Sequence, residues 1–287
     1  MLYLALSILF SSLIFVIFKL YIRFNVETPY AIITNYVVAC AVGLVAYTGS
    51  FDFVEITQKS WFLGALALGV LFILIFNIMA LTSQRLGVSV ASVATKMSFV
   101  VPAVVGIFLY KEELGPLKVL GILIAIMAVY LSSIKKTALP FKLSLLFLPF
   151  LVFLGSGIID TSIKYFQELH LKDGELPLFS ATVFFAAGIS GFVFMGFKAI
   201  KQRVRFNIIN VIGGIALGVP NYFSIYFLVK ALEYDGLNSA SIFTINNVAI
   251  VLLSTLFGII FFKERLSLKN WSGIGLAILS ILLVSIT

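Results

Sequence analysis

The chain has 287 residues, of which 61% are hydrophobic and only 11% are charged, and its formal net charge is +8. Soluble domains carry about 25% charged residues, so this composition excludes a water-soluble globular protein. One cysteine, Cys40, excludes an internal disulfide, and one histidine, His170, excludes a metal site built from several histidines. We therefore expect an integral membrane protein with no metal and no cofactor.

Apolar segments of near-membrane length follow one another along the chain, separated by short polar connections. A helix needs about 20 apolar residues to cross a bilayer, whereas a strand of a membrane barrel has about ten residues of alternating polarity. The pattern predicts an all-α polytopic membrane protein, with the first segment retained as a helix rather than removed as a signal peptide. The ten predicted spans are 2–21, 29–48, 61–83, 88–110, 117–134, 143–167, 177–198, 207–232, 238–262 and 268–286.

The second half of the sequence repeats the first at offsets of 148, 149 and 152 residues. Gly43 corresponds to Gly191 at the first offset, residues 91–95 (ASVAT) correspond to 240–244 (ASIFT) at the second, and Lys111-Glu112 corresponds to Lys263-Glu264 at the third. Each half holds five predicted helices, and an odd number makes the second half enter the membrane from the opposite side. We predict two inverted five-helix repeats, 1–136 and 137–287.

These duplicated motifs resemble the paired EamA domains of the drug/metabolite transporter superfamily. The resemblance rests on the small-residue turn, the Ala-Ser-x-x-Thr helix, the Lys-Glu connection and the Gly-Ile helix that follows it, and it covers essentially the whole chain. It implies ten helices, a central cavity between the halves and alternating-access transport of small metabolites. It names no substrate, because similar members transport amino acids, sugars, nucleotides, organic acids or drugs. Pro102 departs from the repeat, since its counterpart is Val251.

Polar side chains inside the predicted spans are the candidate substrate site, because charged groups in a bilayer are costly and face the protein interior or a wet cavity. Lys96 lies near the middle of the fourth span, and its counterpart is Ile245. We predict that Lys96 binds an anionic group or switches a gate, and a buried structural ion pair is the alternative. The other predicted substrate-binding residues, each alternatively a hydrogen bond between helices, are Ser92, Asn77, Tyr222, Tyr226, Thr244, Asn246 and Asn247.

Three charged residues are candidates for coupling or gating. Asp160 is a carboxylate well inside the sixth span and shares a helix face with Lys164. A desolvated carboxylate that binds and releases a proton would couple transport to a pH gradient, and a local ion pair of Asp160 with Lys164 is the alternative. Lys19 is the third candidate, and extension of its ammonium group to the membrane surface is its alternative role.

The sequence predicts a secondary transporter of a small polar or amphipathic metabolite, with amino acids and organic anions favoured and proton-coupled efflux as one mode. A passive channel, or an exporter of lipids or hydrophobic drugs, is the alternative. The nucleotide-binding signature Gly-x-x-x-x-Gly-Lys-Ser/Thr is absent, and the chain lacks the paired histidines or facing carboxylates of an intramembrane enzyme. We expect no nucleic-acid partner and a monomer that suffices for transport.

We expect the chain to lie in the bacterial inner membrane, but the sequence leaves its orientation open. Connections after odd-numbered spans hold twelve Lys and Arg residues, against four in the other connections. The positive-inside rule therefore places both termini outside the cell, whereas the family resemblance places them in the cytoplasm.

Overall fold

The computed structural model describes residues 1–46, 53–110, 115–134, 146–172, 174–201, 207–232, 237 and 239–285. These residues form helices and short connections, without strands. Ten stretches are long and apolar enough to cross a membrane, which confirms the predicted all-α polytopic fold class. The helices are α1 (Leu2–Arg23), α2 (Thr28–Ala46), α3 (Phe53–Thr57), α4 (Phe62–Leu86), α5 (Val88–Met97), α6 (Val100–Tyr110), α7 (Pro116–Ser133), α8 (Phe147–Leu169), α9 (Leu176–Lys201), α10 (Ile208–Leu232), α11 (Ser239–Phe262) and α12 (Leu268–Ser285).

The helix bounds agree with the ten predicted spans to within a few residues, with two differences. The short helix α3 lies in the connection between the second and third spans, where no helix was predicted. The fourth predicted span, 88–110, is divided into α5 and α6. The Lys-Glu connection of the first half, Lys111-Glu112, lies outside the described residues.

The helices are grouped into two compact units. Unit 1 comprises Met1–Leu20, Ile78–Ile158 and Phe223–Thr287, and unit 2 comprises Tyr21–Asn77 and Ile159–Tyr222. Each unit therefore takes helices from both halves of the sequence, and α1, α4, α8 and α10 contribute residues to both units. The division at residue 136 into two repeats stays a prediction.

In unit 1, α7 packs against α12 through small residues that let the two backbones approach closely. A Cβ atom at Gly121 would lie 3.4 Å from the carbonyl oxygen of Ser280, and one at Gly273 would lie 2.9 Å from that of Ala128. The Ser280 hydroxyl also donates to the Gly121 carbonyl at 2.7 Å. A side chain at Gly273 would separate the helices, because the atoms that it would meet belong to the backbone of α7.

In unit 2, α2 packs against α9 in the same manner. A Cβ atom at Gly43 would lie 3.3 Å from that of Ala181, and one at Gly191 would lie 2.5 Å from Cγ1 of Ile33. Both contacts are between apolar or small groups, so close packing contributes to holding this helix pair together.

The side chain of Asn270 joins the end of α7 to the beginning of α12. Its Oδ1 atom accepts hydrogen bonds from the backbone N–H and the hydroxyl of Ser267, at 2.9 and 2.8 Å. Its Nδ2 atom donates to the carbonyls of Ser132 and Ile134, at 2.7 and 2.8 Å. Asn270 is only 6% exposed, so it satisfies carbonyls at the end of α7 that water cannot reach easily.

In unit 2, Lys59 and Glu175 join the connection that precedes α4 to the one that precedes α9. Their Nζ and Oε1 atoms are 3.1 Å apart, and Glu175 Oε2 accepts from Trp61 Nε1 and from the N–H of Lys172. Partial burial raises the pKa of Glu175, but the hydrogen bonds from Lys172, Lys59 and Trp61 outweigh it and lower the pKa. Hydrogen bonds with Glu55 and Glu175 raise the pKa of Lys59.

Replacing Asn270 with aspartate tests its role at the helix ends. Asn270→Asp removes the Nδ2 donor and places a carboxylate oxygen against the carbonyls of α7. We therefore expect the free energy of unfolding to fall by about 3 kcal/mol and the melting temperature to decrease. The matched control is Asn207→Asp, because Asn207 accepts from the N–H of Ile209 at the start of α10 and aspartate does this equally well. Equal melting temperatures for the two variants would contradict this role.

The lowered pKa of Glu175 predicts a pH dependence of stability. A depressed carboxyl pKa stabilises the fold above the pKa of the unfolded chain, and this stabilisation is lost as pH falls through the lower folded value. The wild type should therefore have a higher melting temperature than Glu175→Gln at pH 7, and this difference should disappear as the pH is lowered to 3. A difference in melting temperature that stays constant with pH would mean that the ion pair with Lys59 does not stabilise unit 2.

Candidate functional site

The fourth span is interrupted at Ser98 and Phe99, between α5 and α6. Proline has no N–H, so Pro102 cannot donate the helical hydrogen bond to the Ser98 carbonyl. That carbonyl instead accepts from Val101 at 2.9 Å, and the Ser98 hydroxyl donates to the Thr95 carbonyl at 2.6 Å. The interruption therefore satisfies these polar groups locally, as a break within a membrane must.

Helix α8 lies directly against this interruption. A Cβ atom at Gly157 would lie 2.3 Å from Cγ2 of Val101 and 2.9 Å from the carbonyl oxygen of Ser98. Gly157, Val101 and Ser98 all belong to unit 1, so the contact is part of that unit's packing. The glycine is required here because any side chain would push α8 away from the break.

A pocket of about 190 Å³ in unit 1 borders the interruption. The Thr244 hydroxyl donates to the Ser285 hydroxyl, which in turn donates to the carbonyl of Ile281. Two aromatic rings, two hydroxyls and one amide suit a small solute that has both apolar and hydrogen-bonding groups. The lining residues are Phe99, Phe243, Thr244, Asn247, Ile281, Val284 and Ser285.

The predicted residues of α5 and α11 have different surroundings. Thr244 and Asn247 line the pocket, and Lys96 is half-buried in the last turn of α5, two residues before the interruption. Ser92 is fully buried and donates to the carbonyl of Ser89, at 3.0 Å. Asn246 is 2% exposed and accepts from the Ser7 hydroxyl at 3.2 Å, so both belong to the packed interior of unit 1.

The remaining predicted residues of the substrate site lie on α4 and α10. Asn77 is half-buried in unit 2, and its Nδ2 atom donates to the carbonyl of Ile73 at 2.7 Å. Tyr222 is half-buried at the end of the unit 2 part of α10. Tyr226 lies one turn later in unit 1, is 40% exposed, and has its ring centroid 5.4 Å from that of Phe227.

The predicted coupling residues are also divided between the units. In unit 2, Asp160 is exposed within its span, and Lys164 lies 3.8 Å from Glu168. In unit 1, Lys19 is partly buried, with its Nζ atom 3.8 Å from Oε1 of Glu264. Across the described part of the chain, no group of three or more His, Cys, Asp or Glu side chains comes together to hold a metal ion.

Sequence reasoning missed the contribution of Phe99, Phe243 and Ser285 to the pocket. Two phenylalanines inside apolar spans and a serine at the end of the last span have no pattern that separates them from packing residues. Pro102 was the available signal for the interruption, because proline inside a predicted helix removes a backbone hydrogen bond.

Comparison with known proteins places these observations in a family context. The model of the EamA-like transporter family matches residues 144–286. An uncharacterized protein of Haemophilus influenzae is 30% identical over 276 residues, which cover 93% of this chain and 92% of that protein. A crystal structure of a protein with 14% identity has a TM-score of 0.58 and covers 98% of this chain and 96% of its own, which shows a shared fold.

Adjacent asparagines of α11 offer a direct test of the pocket. In a Cys40→Ala background, which has no cysteine, we expect N-ethylmaleimide to label Asn247→Cys at least ten times faster than Asn246→Cys. The first position lines the pocket, whereas the second is buried against Ser7. Equal labelling rates, or faster labelling at position 246, would contradict this placement of the helix.

Proposed function

This chain belongs to the EamA-like transporter family, and we propose that it is a secondary transporter of a small polar or amphipathic metabolite. The pocket beside the interrupted fourth span supports this choice of cargo. Its wall combines the Phe99 and Phe243 rings with the polar groups of Thr244, Asn247 and Ser285. Transporters commonly build substrate sites next to interrupted helices.

We infer that the cargo carries an anionic group, as amino acids and organic anions do. Lys96 supplies a positive charge at the end of α5, and α6 begins four residues later with the positive end of its helix dipole. Both features attract a carboxylate, while the rings bordering the pocket suit an apolar portion of the same molecule. The pocket volume of about 190 Å³ favours a small solute.

An alternating-access mechanism is supported by contacts that recur between equivalent residues of the two halves. In the α7–α12 pair, Gly121 approaches Ser280, and Gly273 approaches Ala128. Gly273 is the equivalent of Gly121, and Ser280 is the equivalent of Ala128, each 152 residues later. Such reciprocal contacts are what a two-fold axis between inverted repeats produces. Inverted repeats allow a substrate site to open to one side of the membrane and then to the other.

The α2–α9 pair supports the same symmetry independently. Gly43 approaches Ala181, and Gly191 approaches Ile33, with an offset of 148 residues between equivalent positions. The two pairs lie in different units and use different offsets. Their agreement therefore does not depend on a single alignment of the two halves.

Asp160 is the residue that we assign to proton coupling. A carboxylate exposed within a membrane span avoids lipid and faces water or a polar partner, since its transfer into hydrocarbon is costly. Binding a proton would remove that charge when access changes. In this role, Asp160→Asn abolishes the dependence of transport on a pH gradient but leaves exchange of substrate across the membrane.

A second candidate cargo, a lipid or hydrophobic drug, is favoured by a different cavity. A cavity of about 560 Å³ in unit 1 is lined by α7 and the beginning of α8. Its wall is almost entirely apolar and includes Tyr130, Phe147, Phe150 and Phe153. An apolar cargo would bind here rather than beside Lys96.

Melting temperatures of the purified protein with different ligands distinguish these two classes of cargo. Ligands that bind the folded state raise its melting temperature, so we expect a shift with amino acids or organic anions that is lost in Lys96→Met. Lys164→Met is the matched control, because Lys164 also lies inside a span but is paired with Glu168 in unit 2. Shifts with apolar compounds alone would favour the second cargo.

Flux in proteoliposomes then tests the carrier mechanism. A carrier gives saturable uptake and counterflow of the ligand that shifts the melting temperature, because the site is exposed to one side at a time. Linear, unsaturable flux without counterflow would contradict the proposal and indicate a passive channel. We propose the bacterial inner membrane as the location and a monomer as the complete transport unit.

A further inference from the structure

The carboxylate of Glu264, in the connection between α11 and α12, is held by groups from distant parts of unit 1. Its Oε1 atom accepts a hydrogen bond from the N–H of Val88 at 2.8 Å, and its Oε2 atom accepts from the Ser89 hydroxyl at 3.2 Å. Both donors lie in the first turn of α5. Glu264 therefore caps the beginning of a helix that precedes it by more than 170 residues.

Two glycines make room for this carboxylate. A Cβ atom at Gly87 would lie 2.8 Å from Oε2 of Glu264, and one at Gly258 would lie 2.6 Å from the same atom. Gly87 also has φ of 121°, which L side chains rarely adopt. Lys263 has φ of 51°, which turns the chain so that the Glu264 N–H donates to the Gly258 carbonyl at 3.1 Å.

Lys19 connects the same carboxylate to α1 and α4. Its Nζ atom lies 3.8 Å from Oε1 of Glu264 and donates to the carbonyl of Gln84 at 3.1 Å. The Gln84 side chain donates in turn to the carbonyl of Phe18 at 3.0 Å. The two charged side chains are only 19% and 12% exposed, so water screens their attraction less than at an open surface.

A local helix cap would not require this arrangement. Helices are usually capped by Ser, Thr, Asp or Asn at the N-cap position itself, but Gly87 occupies that position in α5 and provides no side chain. Capping from Glu264 makes the position of α5 depend on the α11–α12 connection. Without the Glu264 carboxylate, the N–H of Val88 in the first turn of α5 would lose its hydrogen-bond partner.

The other end of α5 reaches the candidate substrate site. The ten residues of α5 span about 15 Å, with Lys96 in the last turn, and the chain then enters the interruption at Ser98 and Phe99. A displacement of the capped end therefore displaces the lining of the pocket. This connection gives Glu264 an effect on a site that it does not touch.

We propose that Glu264 is a positioning residue for transport: its carboxylate fixes α5, and thereby places Phe99 at the pocket and Lys96 in the helical turn that precedes it. The ion pair with Lys19 makes α1 and α4 part of the same support. The functional consequence rests on the proposed transporter role, whereas the mechanical coupling from Glu264 to Phe99 does not.

Hydrogen–deuterium exchange of the full chain in lipid nanodiscs, without any ligand, tests the coupling. Glu264→Gln keeps the size of the side chain but removes its charge and one acceptor, so we expect exchange in segment 98–103 to rise at least fivefold. Lys19→Met retains the cap and should raise exchange there by about twofold. Lys19→Arg, which restores the charge, should return exchange to the wild-type rate.

A stability-matched control separates positioning from general destabilisation. Gly191→Ala introduces a clash with Ile33 in unit 2 and leaves α5 untouched, so we expect no increase in segment 98–103. A Glu264→Gln effect confined to the first turn of α5, or spread equally over both units, would overturn the proposal. If Glu264→Gln does not fold, Ser89→Ala decides, because it removes the hydroxyl that donates to Oε2 of Glu264 and leaves the carboxylate in place. Unchanged exchange at 98–103 in that variant would overturn the coupling. A failed transport assay would leave this result unaffected.

Discussion

Helix backbones of this chain approach each other closely at small residues, and this packing organises both units. In a bilayer, helices gain little from burying apolar side chains, because lipid is equally apolar, so association relies on packing and on satisfied polar groups. The α7–α12 pair meets this requirement at Gly121 and Gly273, and the α2–α9 pair meets it at Gly43 and Gly191. The same contacts relate equivalent residues of the two halves, so packing and symmetry are linked.

Polar side chains then complete helices that packing alone would leave unsatisfied. Asn270 provides donors for the carbonyls at the end of α7, and Glu264 provides acceptors for the first turn of α5. Glu264 lies in the connection between α11 and α12, and Asn270 lies in the first turn of α12. This part of the second half therefore supports two helices of the first half. The Lys-Glu pair that recurs in both halves of the sequence has a structural explanation at Glu264.

The spans were predictable from sequence because bilayer thickness sets a length that apolar runs must match. The interruption of the fourth span was not predicted, because residues 88–110 are continuously apolar except at Lys96 and a few hydroxyls, and hydropathy does not register the lost hydrogen bond at Pro102. Helix α3 was missed because five residues are too short for a periodic pattern. The repeat in the sequence pairs Gly43 with Gly191, and these are glycines at which α2 and α9 pack closely.

The candidate site was predictable only in part. The spacing of Thr244 and Asn247 placed them on one face of α11, and both line the pocket. Asn246 is adjacent in sequence but buried, because neighbouring helical residues point about 100° apart. Ser92 was predicted to bind substrate, yet α5 contacts α7, α11 and α12, and Ser92 is buried. Such burial depends on which helices surround a segment, which one sequence does not specify.

The proposed mechanism requires the two halves to have opposite orientations, and labelling from each side of the membrane tests this. Asn25, between α1 and α2, and Lys172, between α8 and α9, are exposed and occupy equivalent connections. In a Cys40→Ala background, single cysteines at these positions should react with a membrane-impermeant maleimide from opposite sides, one in intact cells and the other in inverted vesicles. Reaction of both from the same side would contradict the inverted repeat and, with it, the proposed mechanism.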